Sequence, residues 1–128
     1  MKALCWTGIN KLSVEKVNDP EILNPKDAIV KVSLSSVCGS DLHLLDGYVP
    51  SMKEGDVIGH EFIGEVVETG ADVRRMKKGD RVVVGSVIGC GECYHCQQQA
   101  WSLCDNSNPN GWMLEQVYGD SSSGIFGY

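Results

Sequence analysis

Hydrophobic and polar residues alternate in short stretches along most of the first ninety positions, which is typical of half-buried β-strands. The first two stretches, 1–6 and 12–17, flank Gly8-Ile9-Asn10-Lys11 and predict a β-hairpin. Gly64 lies inside a later stretch, where it indicates a bulge or a close backbone approach. Further strands are predicted at 28–37, 61–69 and 81–88. Short strands separated by turns favour a small barrel or sandwich.

The strand predicted at 28–37 is followed by a break in the alternation at Cys38-Gly39-Ser40-Asp41. A short helix over 42–45 is expected after this break, ending at Gly47. Ser40 or Asp41 is the expected N-cap of that helix, because short polar side chains accept hydrogen bonds from the first exposed N–H groups. Asp41 is therefore interpreted as a cap rather than as a catalytic acid.

The 128 residues suffice for one domain, and 42% hydrophobic with 22% charged residues is ordinary for a globular chain. A net charge of −6 argues against nucleic acid as a partner, since phosphates require a basic surface. The basic run at 74–81 is interpreted as a solvated turn. The sequence shows neither a signal peptide nor an apolar run of about 20 residues, so no membrane association and a cytoplasmic location are expected.

Four of the six cysteines follow the pattern C-x₂-C-x₂-C-x₇-C within a lobe at 89–104. They are Cys90, Cys93, Cys96 and Cys104. Four thiolates complete the tetrahedral shell of zinc, so this pattern predicts a structural zinc site without an open position. His95 could replace one thiol as a ligand, and a secreted chain could instead pair its six cysteines in three disulfides. The cytoplasmic expectation favours metal.

A second group of candidate ligands lies upstream, where Cys38 follows a strand and Gly59-His60-Glu61 precedes another. A cysteine, a histidine and an acid on separate loops are the ingredients of an open catalytic zinc site, which leaves one position for substrate. Each residue alone is more often structural, a buried cysteine as a small core residue and a histidine as a hydrogen-bonded one. Cys5 is expected to pack in the core.

Four motifs occur in one order: Cys38-Gly39-Ser40-Asp41-x-His43, Gly59-His60-Glu61, Gly79-Asp80-Arg81-Val82, and the cysteine pattern. Together they resemble the N-terminal part of the zinc-dependent alcohol dehydrogenases, the medium-chain dehydrogenase/reductase family. The resemblance covers nearly the whole chain. It implies a mainly-β fold, a GroES-like, partly open β-barrel with short helices and a zinc-binding cysteine lobe.

The resemblance also implies a role for each candidate residue. Cys38 and His60 would hold the catalytic zinc, with Glu61 beside it as an outer or occasional direct ligand. Ser40 would take the proton of the substrate hydroxyl, and His43 would pass it to solvent. The four cysteines of the lobe would hold a structural zinc. Zinc would act as a Lewis acid for hydride transfer to a nicotinamide.

The family's third catalytic ligand and its dinucleotide-binding Rossmann domain have no counterpart in residues 1–128, where no G-x-G-x-x-G opens a helix. The chain is therefore expected to be a C-terminally truncated portion of the domain, inactive alone. NAD or NADP, a small alcohol or aldehyde substrate and any homo-oligomer are expected only for the full-length enzyme. Residues 108–128 resemble most the glutathione-independent formaldehyde dehydrogenase branch, with polyol and simple alcohol dehydrogenases left open.

Two other functions compete with the oxidoreductase interpretation. The chain could be a non-catalytic zinc-binding interaction module whose cysteine lobe docks a partner. It could also be a cysteine hydrolase that uses Cys38 with His60, although no residue is expected to orient that histidine. Ser40 and His43 favour the oxidoreductase over the docking module, since a docking module has no use for a proton relay.

Overall fold

The computed structural model describes residues 1–49 and 52–105, which are mainly β with short helices. The strands form two antiparallel sheets, one of β1 and β2 and one in the order β3-β4-β5. The strands are β1 (Lys2–Gly8), β2 (Lys11–Lys16), β3 (Ala28–Ser35), β4 (Phe62–Thr69) and β5 (Arg81–Val84). The helices are α1 (Gly39–Leu45), α2 (Tyr94–Gln97) and a 3₁₀ helix at Trp101–Leu103.

The predicted hairpin is confirmed, with the register running from Lys2 opposite Lys16 to Gly8 opposite Lys11. Alternation along β1 turns Cys5 inward, where it is fully buried as expected. Asn10 occupies the turn with a φ of 58°, a left-handed conformation that asparagine tolerates better than most residues. The hairpin thus forms from local sequence.

The strand β4 is central in the second sheet and carries Gly64 where a side chain would collide with β3. A Cβ atom at Gly64 would lie 2.4 Å from the carbonyl oxygen of Lys31. The register between β3 and β4 shifts opposite this glycine, between Val32 and Leu34, and shifts again between Ile29 and Val30. The bulge and the close approach predicted from Gly64 are both confirmed.

The stretch 55–58 runs along β1 and connects the two sheets. Backbone hydrogen bonds join Trp6 N to Asp56 O at 2.8 Å, Gly55 N to Trp6 O at 2.9 Å and Ile58 N to Leu4 O at 3.0 Å. Cys5 and Val57 form an isolated antiparallel bridge at the same place. This stretch leads directly into Gly59 and His60, so the hairpin helps to fix where that histidine lies.

A small hydrophobic cluster anchors α1 beneath the loop that follows it. Leu44 of α1 is fully buried against Val49, with Met52 and Ile58 packed around the pair. Val66 of β4 is also fully buried. Each buried aliphatic side chain of this kind contributes about 1.5–3 kcal/mol, so these contacts hold α1 and its first turn in place.

The predicted fold class is confirmed, and two strand boundaries are corrected. β3 ends at Ser35 rather than at residue 37, and β5 ends at Val84 rather than at residue 88. Gly85 follows Val84 directly, and the apolar side chains of Val87 and Ile88 remain exposed. Within 1–49 and 52–105 the strands form two sheets and no closed barrel. None of the described helices is long and apolar enough to cross a bilayer.

Candidate metal centres

The cysteine lobe gathers its four thiols into one compact group. The Sγ atoms of Cys90, Cys93, Cys96 and Cys104 all lie within 4.8 Å of one another. Sulfur atoms bound at about 2.3 Å to one tetrahedral zinc ion would be about 3.8 Å apart. The four thiols are therefore close enough together to take an ion of this kind with little rearrangement.

Backbone N–H groups point at these sulfur atoms, an arrangement that stabilises thiolates. Cys90 N donates to Cys104 Sγ at 3.3 Å, Cys93 N to Cys90 Sγ at 3.4 Å, and Cys96 N to Cys93 Sγ at 3.5 Å. The helix α2 begins directly after Cys93, whose side chain is its N-cap. The local turns that bring the thiols together thus also supply their hydrogen-bond donors.

The Cys96 thiol resists ionisation, so an ion that binds it has to displace its proton. Burial, reinforced by hydrogen bonds with the neighbouring thiols, raises the pKa of the Cys96 thiol to about 12. A metal ion that binds there must displace a proton, because the thiolate is the ligand. His95 lies outside the ligand group, with Nε2 3.8 Å from Asp105 Oδ1. The geometry therefore favours the four thiols over a histidine substitution.

One exposed ion pair ties the lobe to the rest of the chain. Lys26, in the loop before β3, pairs with Glu92, which lies between the first two cysteines of the lobe. The pairing with Glu92 raises the pKa of the Lys26 ammonium, although both side chains remain accessible to water. Exposed pairs of this kind contribute little to stability, so the lobe's own thiols must hold its shape.

The second group joins Cys38 at the start of α1 to His60 in the segment before β4. Cys38 Sγ lies 3.1 Å from His60 Nε2. Ligands on a tetrahedral zinc, with Zn–S about 2.3 Å and Zn–N about 2.0–2.1 Å, would be about 3.6 Å apart. Moving the two atoms about half an ångström further apart would make room for an ion. These two side chains therefore fit the donor set of a metal site.

Asp41 connects the two candidate ligands. Its Oδ1 lies 3.1 Å from His60 Nδ1, and its Oδ2 accepts a hydrogen bond from the backbone N–H of Cys38 at 2.9 Å. Asp41 is 6% exposed and His60 is 3% exposed. A carboxylate accepts hydrogen bonds, so the His60 tautomer that satisfies this contact carries its proton on Nδ1 and leaves the Nε2 lone pair facing Cys38.

The predicted helix cap is wrong, and the correction explains this geometry. α1 begins at Gly39, and its N-cap is Cys38, whose Sγ accepts a hydrogen bond from Ser40 N at 3.2 Å. Asp41 occupies the third helical position and completes a capping box by bonding back to Cys38 N. The sulfur replaces the hydroxyl or carboxylate that the sequence pattern favours at this position.

The sequence pattern predicted only a helix cap at Asp41, so the contact of Asp41 with His60 was not expected. The expectation that no residue orients His60 is wrong for the same reason. The signal was present in the spacing, since a residue three positions after an N-cap often bonds back to it. A histidine that ligates a metal also donates its other ring N–H to a carboxylate, a backbone carbonyl or water.

Gly59 shapes the approach to His60. Its φ is +115°, a conformation that side-chain-bearing residues rarely adopt, and the space around its missing Cβ is open. The backbone conformation, rather than crowding, therefore requires glycine here. The turn at Gly59 lets the chain leave β1 and direct the His60 ring at α1.

The remaining predicted residues surround this pair without joining it. Glu61 is not in the group of ligand atoms within 4.8 Å of one another, which contains Cys38, Asp41 and His60. Its carboxylate instead accepts a hydrogen bond from Ser36 Oγ at 3.2 Å. Ser40 is half-buried and His43 is exposed, where the His43 ring packs edge-on against Tyr48 with centroids 5.5 Å apart.

Comparison with known proteins identifies the family of this chain. The profile of the alcohol dehydrogenase GroES-like domain matches residues 24–127. The zinc-type alcohol dehydrogenase-like protein AdhB of Bacillus subtilis, itself uncharacterized, is 50% identical over 113 residues, which cover 88% of this chain and 30% of AdhB. The chain thus spans about 30% of the length of this relative.

Solved structures agree with the sequence relatives. Alcohol dehydrogenase TADH of Thermus sp. ATN1 superposes with a TM-score of 0.77 at 39% identity, covering 83% of this chain and 30% of that one. A short chain alcohol dehydrogenase (rspB) of Escherichia coli CFT073, complexed with the cofactor NADH, gives 0.65 at 36% identity, covering 81% and 30%. The chain therefore belongs to the alcohol dehydrogenase GroES-like domain family.

Proposed function

We propose that this chain supplies two zinc sites of the catalytic domain in a zinc-dependent oxidoreductase that acts on a small alcohol or aldehyde with NAD or NADP. The observation that carries the proposal is the pair formed by Cys38 Sγ and His60 Nε2, 3.1 Å apart and supported by the buried carboxylate of Asp41. Membership in the alcohol dehydrogenase GroES-like domain family supports the reaction class. The NADH complex of the Escherichia coli neighbour supports the cofactor class.

Cys38 and His60 would hold the catalytic ion, while the four thiols of the lobe would hold a structural one. Zinc bound to Cys38 and His60 would supply Lewis acidity, which polarises a carbonyl or strengthens the acidity of an alcohol. Asp41 keeps the proton of His60 on Nδ1, so that Nε2 remains available as a ligand. Glu61 would act from beside this site rather than as a permanent ligand.

Ser40 and His43 would move the proton of the substrate hydroxyl. They lie three residues apart on α1, so both side chains project from the same face of the helix. Ser40 is half-buried beside Cys38, whereas His43 is exposed. A hydroxyl can accept one proton while donating another, and imidazole exchanges protons with water near neutral pH. The order from buried to exposed matches a path that leads to solvent.

The proposed domain comprises residues 1–128 as the GroES-like N-terminal portion, with the structural zinc lobe at 89–104. The similarity of residues 108–128 to the formaldehyde dehydrogenase branch concerns positions outside the described residues and stays a prediction. Homo-oligomerisation of the longer enzyme also stays a prediction. The six cysteines lie within the described residues and form no disulfide there, and thiolate ligands persist best in a reducing compartment such as the cytoplasm.

A cysteine hydrolase is the second candidate, since Cys38, His60 and Asp41 form a hydrogen-bonded series of nucleophile, base and orienting acid. The two functions predict different reactivity of the Cys38 thiol in the presence of zinc. A metal ligand should resist alkylation when zinc is added, whereas the nucleophile of a hydrolase should keep its reactivity under the same conditions. Hydrolysis of an activated ester that zinc does not suppress would favour the hydrolase.

Metal analysis combined with thiol titration tests the zinc proposal on the purified chain. We expect about one tightly held zinc per chain, in the cysteine lobe, because four thiolates saturate the tetrahedral shell. A second ion should bind more weakly, and Cys38→Ser should abolish it while sparing the first. Four freely reactive lobe thiols and no zinc would contradict the structural site.

The reaction itself is tested where this chain is joined to a dinucleotide-binding domain. Alcohol-dependent reduction of NAD or NADP should disappear in Cys38→Ser, while the zinc of the lobe remains. The Ser33→Thr variant keeps a hydroxyl at an exposed position of β3 and provides a control for handling and folding. Turnover that survives in Cys38→Ser would remove Cys38 from the ligand set.

A further inference from the structure

Three serine hydroxyls, in the last part of β3 and directly after it, donate hydrogen bonds to β4 or to the residue that precedes β4. Ser33 Oγ bonds to Ile63 O at 3.0 Å, and Ser35 Oγ bonds to Glu61 O at 3.2 Å. Ser36 Oγ bonds instead to a side chain, the Glu61 carboxylate, with 3.2 Å to Oε2. The backbone N–H of Ser36 also donates to Glu61 O at 3.1 Å. The Ser35-Ser36 pair thus contacts Glu61 through three hydrogen bonds.

The contact between Ser36 and Glu61 lies next to both candidate ligands of the second metal site. Glu61 follows His60 directly, and Ser36 precedes Cys38 by two residues. The contact therefore joins the two backbone segments that carry the facing Sγ and Nε2 atoms. Any sliding of one segment against the other would change that 3.1 Å separation.

We propose that Ser36 is a positioning residue for the Cys38–His60 metal site, acting through the carboxylate of Glu61. This inference rests on the proposed function. The Ser36 hydroxyl holds the Glu61 carboxylate beside the end of β3, outside the group formed by Cys38, Asp41 and His60. It thereby limits the rotation of the Glu61 side chain and the movement of the backbone next to His60.

The expected loss of metal affinity on removing the Ser36 hydroxyl depends on how far that hydroxyl would lie from the ion. Removing a group that directly bonds a metal ligand typically lowers metal affinity 10–100-fold. Ser36 acts one residue further away, and its side chain is exposed to water. A single hydrogen bond of this kind is modest, so we expect Ser36→Ala to weaken the second metal site by about threefold to tenfold.

Cobalt binding to the 128-residue chain provides the test. The chain is first loaded with one equivalent of zinc, which the lobe retains, and Co²⁺ is then titrated while the visible spectrum is recorded. Ser36→Ala should weaken cobalt binding by about threefold to tenfold and change the band shape. Ser36→Thr should restore both, because it keeps the hydroxyl. Ser33→Ala, which removes a nearby hydroxyl that bonds to Ile63 O rather than to Glu61, should leave both unchanged.

A double-mutant cycle shows whether Ser36 acts through Glu61. Ser36→Ala and Glu61→Ala should each weaken cobalt binding, and the double variant should be no weaker than Glu61→Ala alone. Additive losses, or equal losses in Ser33→Ala, would overturn the proposal while leaving the metal site intact. Cobalt binding that is insensitive to Cys38→Ser would overturn the proposed function and this inference together.

Discussion

The two candidate metal centres differ in how far apart in sequence their ligands lie. The lobe takes all four thiols from one stretch, 90–104, and orders them with its own backbone N–H groups. The second site takes Cys38 and His60 from segments separated by 22 residues. Its geometry depends on the pairing of β3 with β4 and on the first turn of α1.

This difference indicates which forces hold each site. The lobe has no extensive hydrophobic core of its own, so metal binding should supply much of its stability. Small zinc-binding peptides gain about 10–16 kcal/mol from structural zinc. The second site is instead held by buried hydrogen bonds and by the packing of Leu44 behind α1. We therefore expect one site to depend on its metal and the other to be largely preformed.

The largest effect should follow from removing one lobe ligand. Cys96→Ser should release the tightly bound zinc and lower Tm by about 10 °C or more, because losing about 3 kcal/mol shifts Tm by several degrees per kcal/mol. Atomic absorption and thermal melting would measure both. His95→Ala, whose side chain lies outside the ligand group, is the matched control and should keep its zinc. An unchanged Tm in Cys96→Ser would contradict the expectation that the lobe depends on its metal for stability.

A smaller and more local effect is expected at Asp41. Asp41→Asn should lower metal affinity at the second site by about 10–100-fold, because the amide holds the His60 ring less firmly. Competition with a chelator would measure this change, while the zinc content of the lobe should stay constant. Asp46→Asn, at the exposed C-terminal end of α1, makes the same substitution away from the site. Equal losses in both variants would contradict the orienting role.

The smallest effect is expected at Cys5, a buried thiol outside both candidate metal sites. Its protection from alkylation serves as an internal reference for the thiols of those sites. Burial raises the pKa of its thiol from 9.0, so this thiol should remain unalkylated at neutral pH in the folded chain. Since the folded pKa lies above the unfolded one, its contribution to stability is complete below about pH 9 and is lost as pH rises further. Mass spectrometry after alkylation would measure the protection. Alkylation of Cys5 as fast in the folded chain as in the unfolded chain would contradict its burial.

The sequence pattern predicted the hairpin, the central strands and the bulge at Gly64, because alternation and glycine placement are local signals. Strand ends were less predictable. The apolar residues after Val84 continue the β-branched pattern, yet β5 stops there. Strand length depends on the partner strand, and β4 pairs with β5 only over Phe62–Glu65, which no local pattern specifies.

The sequence by itself determined the family, the cysteine lobe and the pairing of candidate ligands Cys38 and His60, since these rest on residue types and spacing. Only the tertiary structure showed that Asp41 links both candidate ligands, that Cys38 caps α1, and that Ser36 bonds to the Glu61 carboxylate. The physical reason is that a hydrogen bond or a metal–ligand bond depends on the direction in which each donor and acceptor points. Spacing limits which residues can meet, whereas the folded backbone decides which way each donor and acceptor points.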